Sequence, residues 1–171
     1  MRALLFGLCV LSLSGCGEKG AVRVQQTVEE APALPATVRM GDPKAAAQLV
    51  SGFHEIEGNA WRWTQKQFTV NLGVPSGASR KGGVLSLELT VPPVVIEKSG
   101  TVTLTASING TDLAPQTYSR AGSDTYKRDV PASLLASPSV KVDFRLDKSM
   151  SPGGDQRELG LVTIRAGLES K

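Results

Sequence analysis

The densest group of side chains that could do chemistry lies in residues 52–64, a segment that holds both tryptophans of the chain. Trp61 and Trp63 are two residues apart, so on a β-strand their rings share one face. Aromatic rings next to carboxylates and arginine suit sugar recognition, because the rings stack on C–H faces while charged groups hydrogen-bond to hydroxyls. A structural role stays open as well: one tryptophan would fill the core while Arg62 pairs with Glu57 to lock a loop.

Two acidic residues of the same segment, Glu55 and Glu57, would also share a strand face. Paired carboxylates could serve glycoside hydrolysis, but acids two apart on one strand usually form a solvated edge or bind arginine. We therefore expect no catalysis from this pair. We predict instead that Arg62 is held by an acid from this pair or from residues 155–158.

A second charged group, formed by Asp155, Arg157 and Glu158, comes just before the last alternating segment of the chain. An acid, a base and the glycine that follows them favour a charge network that fixes the start of the final strand. We interpret this group as structural.

Composition argues against several other kinds of chemistry. His54 is the only histidine and no Gly-x-Ser-x-Gly sequence occurs, so neither a histidine metal site nor a serine-hydrolase site is expected. The net charge is +3, and the basic residues are scattered rather than arranged in a stripe with aromatics. We predict a non-enzymatic protein with no cofactor, no metal and no nucleic-acid partner.

The N-terminus carries a different kind of chemistry, in the sequence Leu13-Ser14-Gly15-Cys16. It closes an apolar run that follows Met1-Arg2 and is too short to span a bilayer. The pattern resembles the lipobox of bacterial lipoproteins. The resemblance implies that residues 1–15 are a signal peptide. It also implies that Cys16 carries acyl chains, palmitate among them, that hold the protein to a membrane of the cell envelope.

The residues after the cysteine predict a tether. Gly17 stands where Asp would resemble the inner-membrane retention signal of Gram-negative bacteria, which favours the outer membrane if the host is Gram-negative. Residues 16–47, with the lipidated cysteine at their start, are poor in large apolar residues and contain three prolines, as flexible linkers do. Near the end, Asp42 and Pro43 predict one helical turn with Asp42 as its cap.

Residues 48–171 alternate apolar and polar side chains, which predicts half-buried β-strands. Gly- and Pro-rich turns separate them, and Asn109-Gly110 is typical of a type I′ hairpin. Residues 131–136 predict about one helical turn. Seven or eight short strands with such spacing predict an all-β fold, an antiparallel β-sandwich of immunoglobulin-like or carbohydrate-binding-module-like type. The clearest strands are residues 68–72, 85–91, 102–108, 140–146 and 162–168.

The two clusters together resemble a known kind of module. The sequence has a Gly-aromatic start with an acid, then an Arg-Trp-Thr run and a late Asp-x-Arg-x-Leu-Gly. This order is similar to small β-sandwich modules found beside bacterial glycosyltransferases and methyltransferases of surface-polysaccharide systems. The resemblance spans about residues 50–168 and implies a carbohydrate-associated domain, here with a lipid anchor in place of an attached enzyme. The matching positions are Gly52, Phe53, Glu55 or Glu57, Arg62, Trp63, Thr64, Asp155, Arg157, Leu159 and Gly160.

These observations lead to one function and one alternative. The tryptophan cluster and the lipobox favour a lipid-anchored, non-enzymatic envelope protein that binds or organises surface glycan. The alternative is a scaffolding or assembly lipoprotein whose partner is another envelope protein, bound through a strand edge or the tether. An envelope hydrolase ranks third.

Overall fold

The computed structural model describes residues 33–154 and 156–171, which all belong to the compact unit Pro32–Lys171. Two short helices, α1 (Ala78–Lys81) and α2 (Pro93–Ser99), and two 3₁₀ turns, Pro43–Ala47 and Ala132–Leu134, accompany the strands. The ten strands of these residues are β1 (Thr37–Arg39), β2 (Leu49–Glu57), β3 (Trp61–Gly73), β4 (Gly83–Val91), β5 (Val102–Ile108), β6 (Thr111–Asp112), β7 (Gln116–Tyr118), β8 (Gly122–Val130), β9 (Ser139–Leu146) and β10 (Val162–Ser170).

The 13-residue strand β3 belongs to both halves of the sheet. Its residues 67–73 pair with β9, whereas Arg62 and Trp63 pair with β10. The strand order is β6-β5-β9-β3-β10-β4-β8, with β7 beside β5, β2 beside β3 and β1 beside β10. All of these pairs are antiparallel.

The two halves of the sheet fold onto each other. Tyr126 lies in β8, at one end of the strand order, yet its ring centre is 6.3 Å from that of Phe144 in β9. Its hydroxyl donates to the carbonyl of Ala114, which follows β6 at the other end, at 2.9 Å. Phe68 and Phe144 stack at 4.9 Å, and all three rings are buried. The fold is therefore an antiparallel all-β sandwich made from one curled sheet.

Most of the alternating segments fold as their pattern predicts. In β4, β5 and β9 the apolar side chains are buried and the polar ones are half-buried or exposed. Asn109 and Gly110 both have positive φ, and Ile108 pairs with Thr111, which confirms the type I′ hairpin. The predicted turn also forms, at Pro43–Ala47. The Asp42 carboxylate caps it by accepting a hydrogen bond from the backbone nitrogen of Lys44 at 2.9 Å.

The folded domain starts earlier than the sequence pattern predicts. Val38 of β1 pairs with Ala166 of β10, and Val38 and Met40 are buried. The predicted boundary between residues 47 and 48 is therefore wrong, and the compact unit begins at Pro32. The reason is that β1 is held by hydrogen bonds from a distant strand, which local composition does not reveal. The signal peptide predicted for residues 1–15 and the lipidation of Cys16 lie outside the described residues.

Other elements also lack a signal in the sequence. Helix α2 follows Pro92, where a turn was expected, and it buries Val95. Strand β8 buries Tyr126 and Val130, but its first four residues are all exposed, so that half shows no period of two. Strand β2 is interrupted by three register shifts against β3. Segments β2 and β8 become strands because a neighbouring strand offers them backbone partners, a feature of tertiary context.

Two tyrosines of the core differ in how their hydroxyls are satisfied. Tyr118 and Tyr126 are both buried, and burial raises the pKa of each phenol. The hydroxyl of Tyr126 donates to Ala114 and accepts from the backbone of Ala106 at 3.4 Å. The hydroxyl of Tyr118 has no protein partner among the described residues.

We predict that Tyr126→Phe lowers the free energy of unfolding by about 1 kcal/mol, because the buried Ala106 N–H loses its bond to the hydroxyl and the Ala114 carbonyl keeps only Arg128 Nε as a side-chain donor. Tyr118→Phe should change it by less than about 0.5 kcal/mol, or raise it, because it removes a buried hydroxyl that makes no protein hydrogen bond. Urea unfolding followed by circular dichroism measures both changes. Equal losses in the two variants would contradict this difference.

Candidate functional site

The hairpin between β2 and β3 carries the first cluster. Gly58 and Asn59 have positive φ, and the backbone of Ala60 donates to the Glu57 carbonyl at 3.2 Å, which closes the turn. Glu57 then pairs with Trp61 across the hairpin. The indole of Trp61 lies beside the turn, since a β-carbon at Gly58 would be 3.0 Å from its Nε1. The glycine therefore leaves room for the indole.

Trp61 and Trp63 lie on the same face of β3, the outer one. Both are half-buried, and they alternate with Arg62 and Thr64, which are buried on the inner face. Trp63 also packs against the hydrophobic core. The fully buried aromatic side chains of the core are other residues, among them Phe68. Neither tryptophan fills the centre of the sandwich, and both keep an exposed part.

A row of side chains continues from Trp63 across the sheet. Trp63 pairs with Val162, and Val162 pairs with Thr90. Thr90 pairs in turn with Ser123, and their hydroxyls are 3.3 Å apart. Paired residues on neighbouring strands point to the same face of the sheet. The four residues span three strand spacings of ~4.8 Å, so the row is about 14 Å long. No sequence motif marks its hydroxyls, because they reach the tryptophan only through pairing across three strands.

Arg62 is not held by an acid, and this prediction is wrong. Its Nε donates to the Met40 carbonyl at 3.0 Å, and its Nη1 donates to the His54 carbonyl at 2.8 Å. No carboxylate pairs with it within the part of the chain that the structure describes. Arg62 thus joins the segment after β1 to β2 through backbone carbonyls.

Strand geometry separates Arg62 from the acids of its own segment. The β2 residue opposite Arg62 is Ile56, whereas Glu57 lies opposite Trp61. Neighbouring residues on a strand point to opposite faces, so Arg62 points inward while Glu57 points outward with the tryptophans. Glu55 is exposed.

The two charged clusters do meet, but through other pairs. Arg157 Nη1 is 3.0 Å from Glu57 Oε1, in an ion pair that stays partly exposed. Nε2 of His54 is 2.7 Å from the Glu158 carbonyl oxygen, an arrangement in which the ring nitrogen donates. The Glu158 carboxylate accepts from the Ser149 hydroxyl at 2.8 Å. These contacts tie the segment before β10 to the β2–β3 hairpin.

Gly160 lies where this segment passes against β3. Its backbone nitrogen donates to the Thr64 carbonyl at 2.6 Å, and the Leu161 carbonyl accepts from Thr64 at 2.8 Å. A β-carbon at Gly160 would be 2.6 Å from Leu146 Cδ1 and 2.8 Å from the Gln65 carbonyl oxygen. A larger residue would force these neighbours apart, so the close approach requires glycine.

The described residues contain neither a cluster of metal ligands nor a membrane-spanning helix. There, no three His, Cys, Asp or Glu side chains stand together as a group that could hold a metal ion. No helix of these residues has both the length and the apolar character needed to cross a bilayer. Asp155 lies outside the described residues, so its part in the charge network stays a prediction.

Comparison with known proteins identifies no family for the chain. No protein-family model matches it, and no curated protein matches it either. It is similar to a solved structure described as "CBM4 structure and function", with 12% sequence identity and a TM-score of 0.35. The similarity covers 79% of this chain and 85% of that one. A likeness this distant carries no argument about function, and the sandwich is established by the strand pairing itself.

We predict that Arg62→Ala lowers the free energy of unfolding by about 2–4 kcal/mol, because the Met40 and His54 carbonyls lose their donor in a buried place. Glu57→Gln is the matched comparison, since its ion pair is partly exposed and should cost less than about 1 kcal/mol. Denaturant unfolding of both variants measures the difference. Equal losses in the two variants would contradict the larger contribution of the bonds from Arg62 to the backbone carbonyls.

Proposed function

We propose that this protein is a lipid-anchored, non-enzymatic component of the bacterial cell envelope that binds surface glycan at the outer face around Trp61 and Trp63. The observation that carries the proposal is that both indoles lie on one strand face and neither is fully buried. A partly exposed indole offers a flat apolar surface on which the C–H face of a sugar ring can stack.

Polar groups beside the rings complete such a surface. Glu55 is exposed, and the paired side chains of Glu57 and Arg157 are 34% and 42% exposed, so each can still bond to a hydroxyl. Thr90 and Ser123 lie further along the row. A few polar groups around an apolar surface fix the orientation of a sugar.

Several contacts hold the scaffold behind this face. Trp63 packs against the core, and the hairpin is tied to the segment before β10 by Glu57 with Arg157 and by His54. Side chains that are already ordered lose less entropy when a ligand binds. This order supports recognition of an extended polymer by repeated weak contacts.

The same geometry favours binding over hydrolysis. Glycoside hydrolysis needs two carboxyl groups on either side of the scissile bond, one of them ready to give a proton. Glu57 is engaged by Arg157, and Glu55 lies on the same strand as Glu57. Acids two apart on one strand lie side by side on one face, whereas hydrolysis needs them on either side of the bond.

We predict that Trp61→Ala weakens binding of polysaccharide from the host envelope by about tenfold or more, because an aromatic anchor at the centre of a contact carries much of its energy. Gln67→Ala, an exposed residue on the same face of β3, is the matched control and should change binding by less than about twofold. Isothermal titration calorimetry with the full chain in detergent micelles measures both.

Tryptophan fluorescence gives an independent view of this prediction. In Trp61→Phe and Trp63→Phe, each remaining indole should be reached by acrylamide and should become shielded when polysaccharide is added. Two protected indoles with no response to polysaccharide would contradict glycan binding and would favour a scaffolding role with another envelope protein.

The anchor has its own test. Cys16→Ser should abolish the incorporation of labelled palmitate and release the protein from the membrane fraction, because a serine has no thiol to carry the lipid. Replacing Cys9 by Ser is the matched control and should leave labelling unchanged. Unchanged labelling of Cys16→Ser would exclude lipid attachment at that residue. Separation of inner and outer membranes then tests the outer-membrane location.

A further inference from the structure

A cleft lies between the 3₁₀ turn Pro43–Ala47 and strand β2, apart from the tryptophan face. Its volume is about 230 Å³, and its walls are formed mainly by Ala46, Leu49, Val50 and Phe53, with Arg62 among the lining residues. A space of this size holds several waters, which leaves room for a small polar group or ring.

The charge of Arg62 is the notable feature of this cleft. The residue is only 8% exposed, and buried arginines are normally paired with an acid. Here Nε and Nη1 donate to backbone carbonyls, and Nη2 has no acceptor among the described residues. A guanidinium has five N–H donors, so three of them have no protein acceptor among the described residues, and the side chain lines the cleft.

The apolar wall of the cleft is unusually open. Val50 is 48% exposed and is one of two large hydrophobic side chains among the described residues that are exposed to this degree, the other being Ile164. Val50 lies on β2 near Phe53, which packs edge-on against the core ring of Phe68 at 5.4 Å. The cleft therefore combines an exposed apolar wall with a buried cation that lacks a counter-ion.

We propose that this cleft binds a carboxylate-bearing sugar, a uronic acid residue of an envelope glycan. The carboxylate would bond to the free side of the Arg62 guanidinium, which matches a carboxylate in shape, and the C–H face of the ring would lie on Val50. This inference rests on the proposed function, because it takes the ligand to be glycan. It adds a second contact, inward of the tryptophan face, that selects for acidic sugars.

The experiment compares an oligogalacturonate with its methyl ester, which has the same rings but no charge. Isothermal titration calorimetry with the full chain in detergent micelles should give at least about tenfold tighter binding of the acid, because charge-assisted hydrogen bonds form only with the carboxylate. This preference should also fall as salt is added.

Substitutions at Val50 test the cleft without disturbing the buried arginine. Val50→Asp should remove the preference for the acid by placing a second negative charge beside the ligand, whereas Val50→Asn, of the same size, should retain it within about twofold. Ile164→Asp adds the same charge at the other exposed apolar residue and should leave the preference in place. Circular dichroism confirms that each variant is folded.

The outcomes separate this inference from the proposed function. Equal binding of acid and ester, with Trp61→Ala still harmful, would overturn the cleft site and leave the tryptophan face intact. Binding of a peptide with a free C-terminal carboxylate that Val50→Asp abolishes, without binding of the oligogalacturonate, would also overturn it. If neither the host polysaccharide nor either oligosaccharide binds, the proposed function fails together with the inference.

Discussion

The hydrogen bonds at Thr64 hold the sandwich together, because this residue lies where β3 passes from one half of the sheet to the other. The Gly160 backbone donates to its carbonyl, and Leu161 bonds both to its backbone and, at 3.1 Å, to its hydroxyl. Thr64 is fully buried, so these groups have no water as an alternative partner. Loss of this junction would leave buried backbone groups unpaired where the chain enters β10.

The three residues of β3 that precede this junction lie on different faces of the strand. Only three residues of β3 precede Thr64, and the alternation of a strand sends Trp61 and Trp63 outward and Arg62 inward. One short stretch of strand therefore provides an aromatic outer surface and a buried cation. The two candidate binding surfaces differ in chemistry although their residues are adjacent in the chain.

The charged residues differ in the same way between the outer surface and the interior. The ion pairs of Glu57 with Arg157 and of Glu88 with Arg165 are partly exposed, and such pairs contribute little to stability. Stability comes instead from the apolar side chains enclosed by the curled sheet. Arg62, in contrast to these exposed pairs, is fixed by backbone carbonyls and lines the cleft beside β2.

The sequence by itself determined the fold class, the main strands and the Asn109-Gly110 hairpin, because alternation and turn chemistry are local properties. It also placed both tryptophans on one face. It did not determine the start of the domain, the strands β1 and β8, or the partners of Arg62. Those depend on which distant strand offers backbone groups and on the register of β2 against β3, which puts Ile56 rather than an acid opposite Arg62. Only tertiary pairing decides such contacts, because a shift of one residue exchanges the inner and outer faces of a strand.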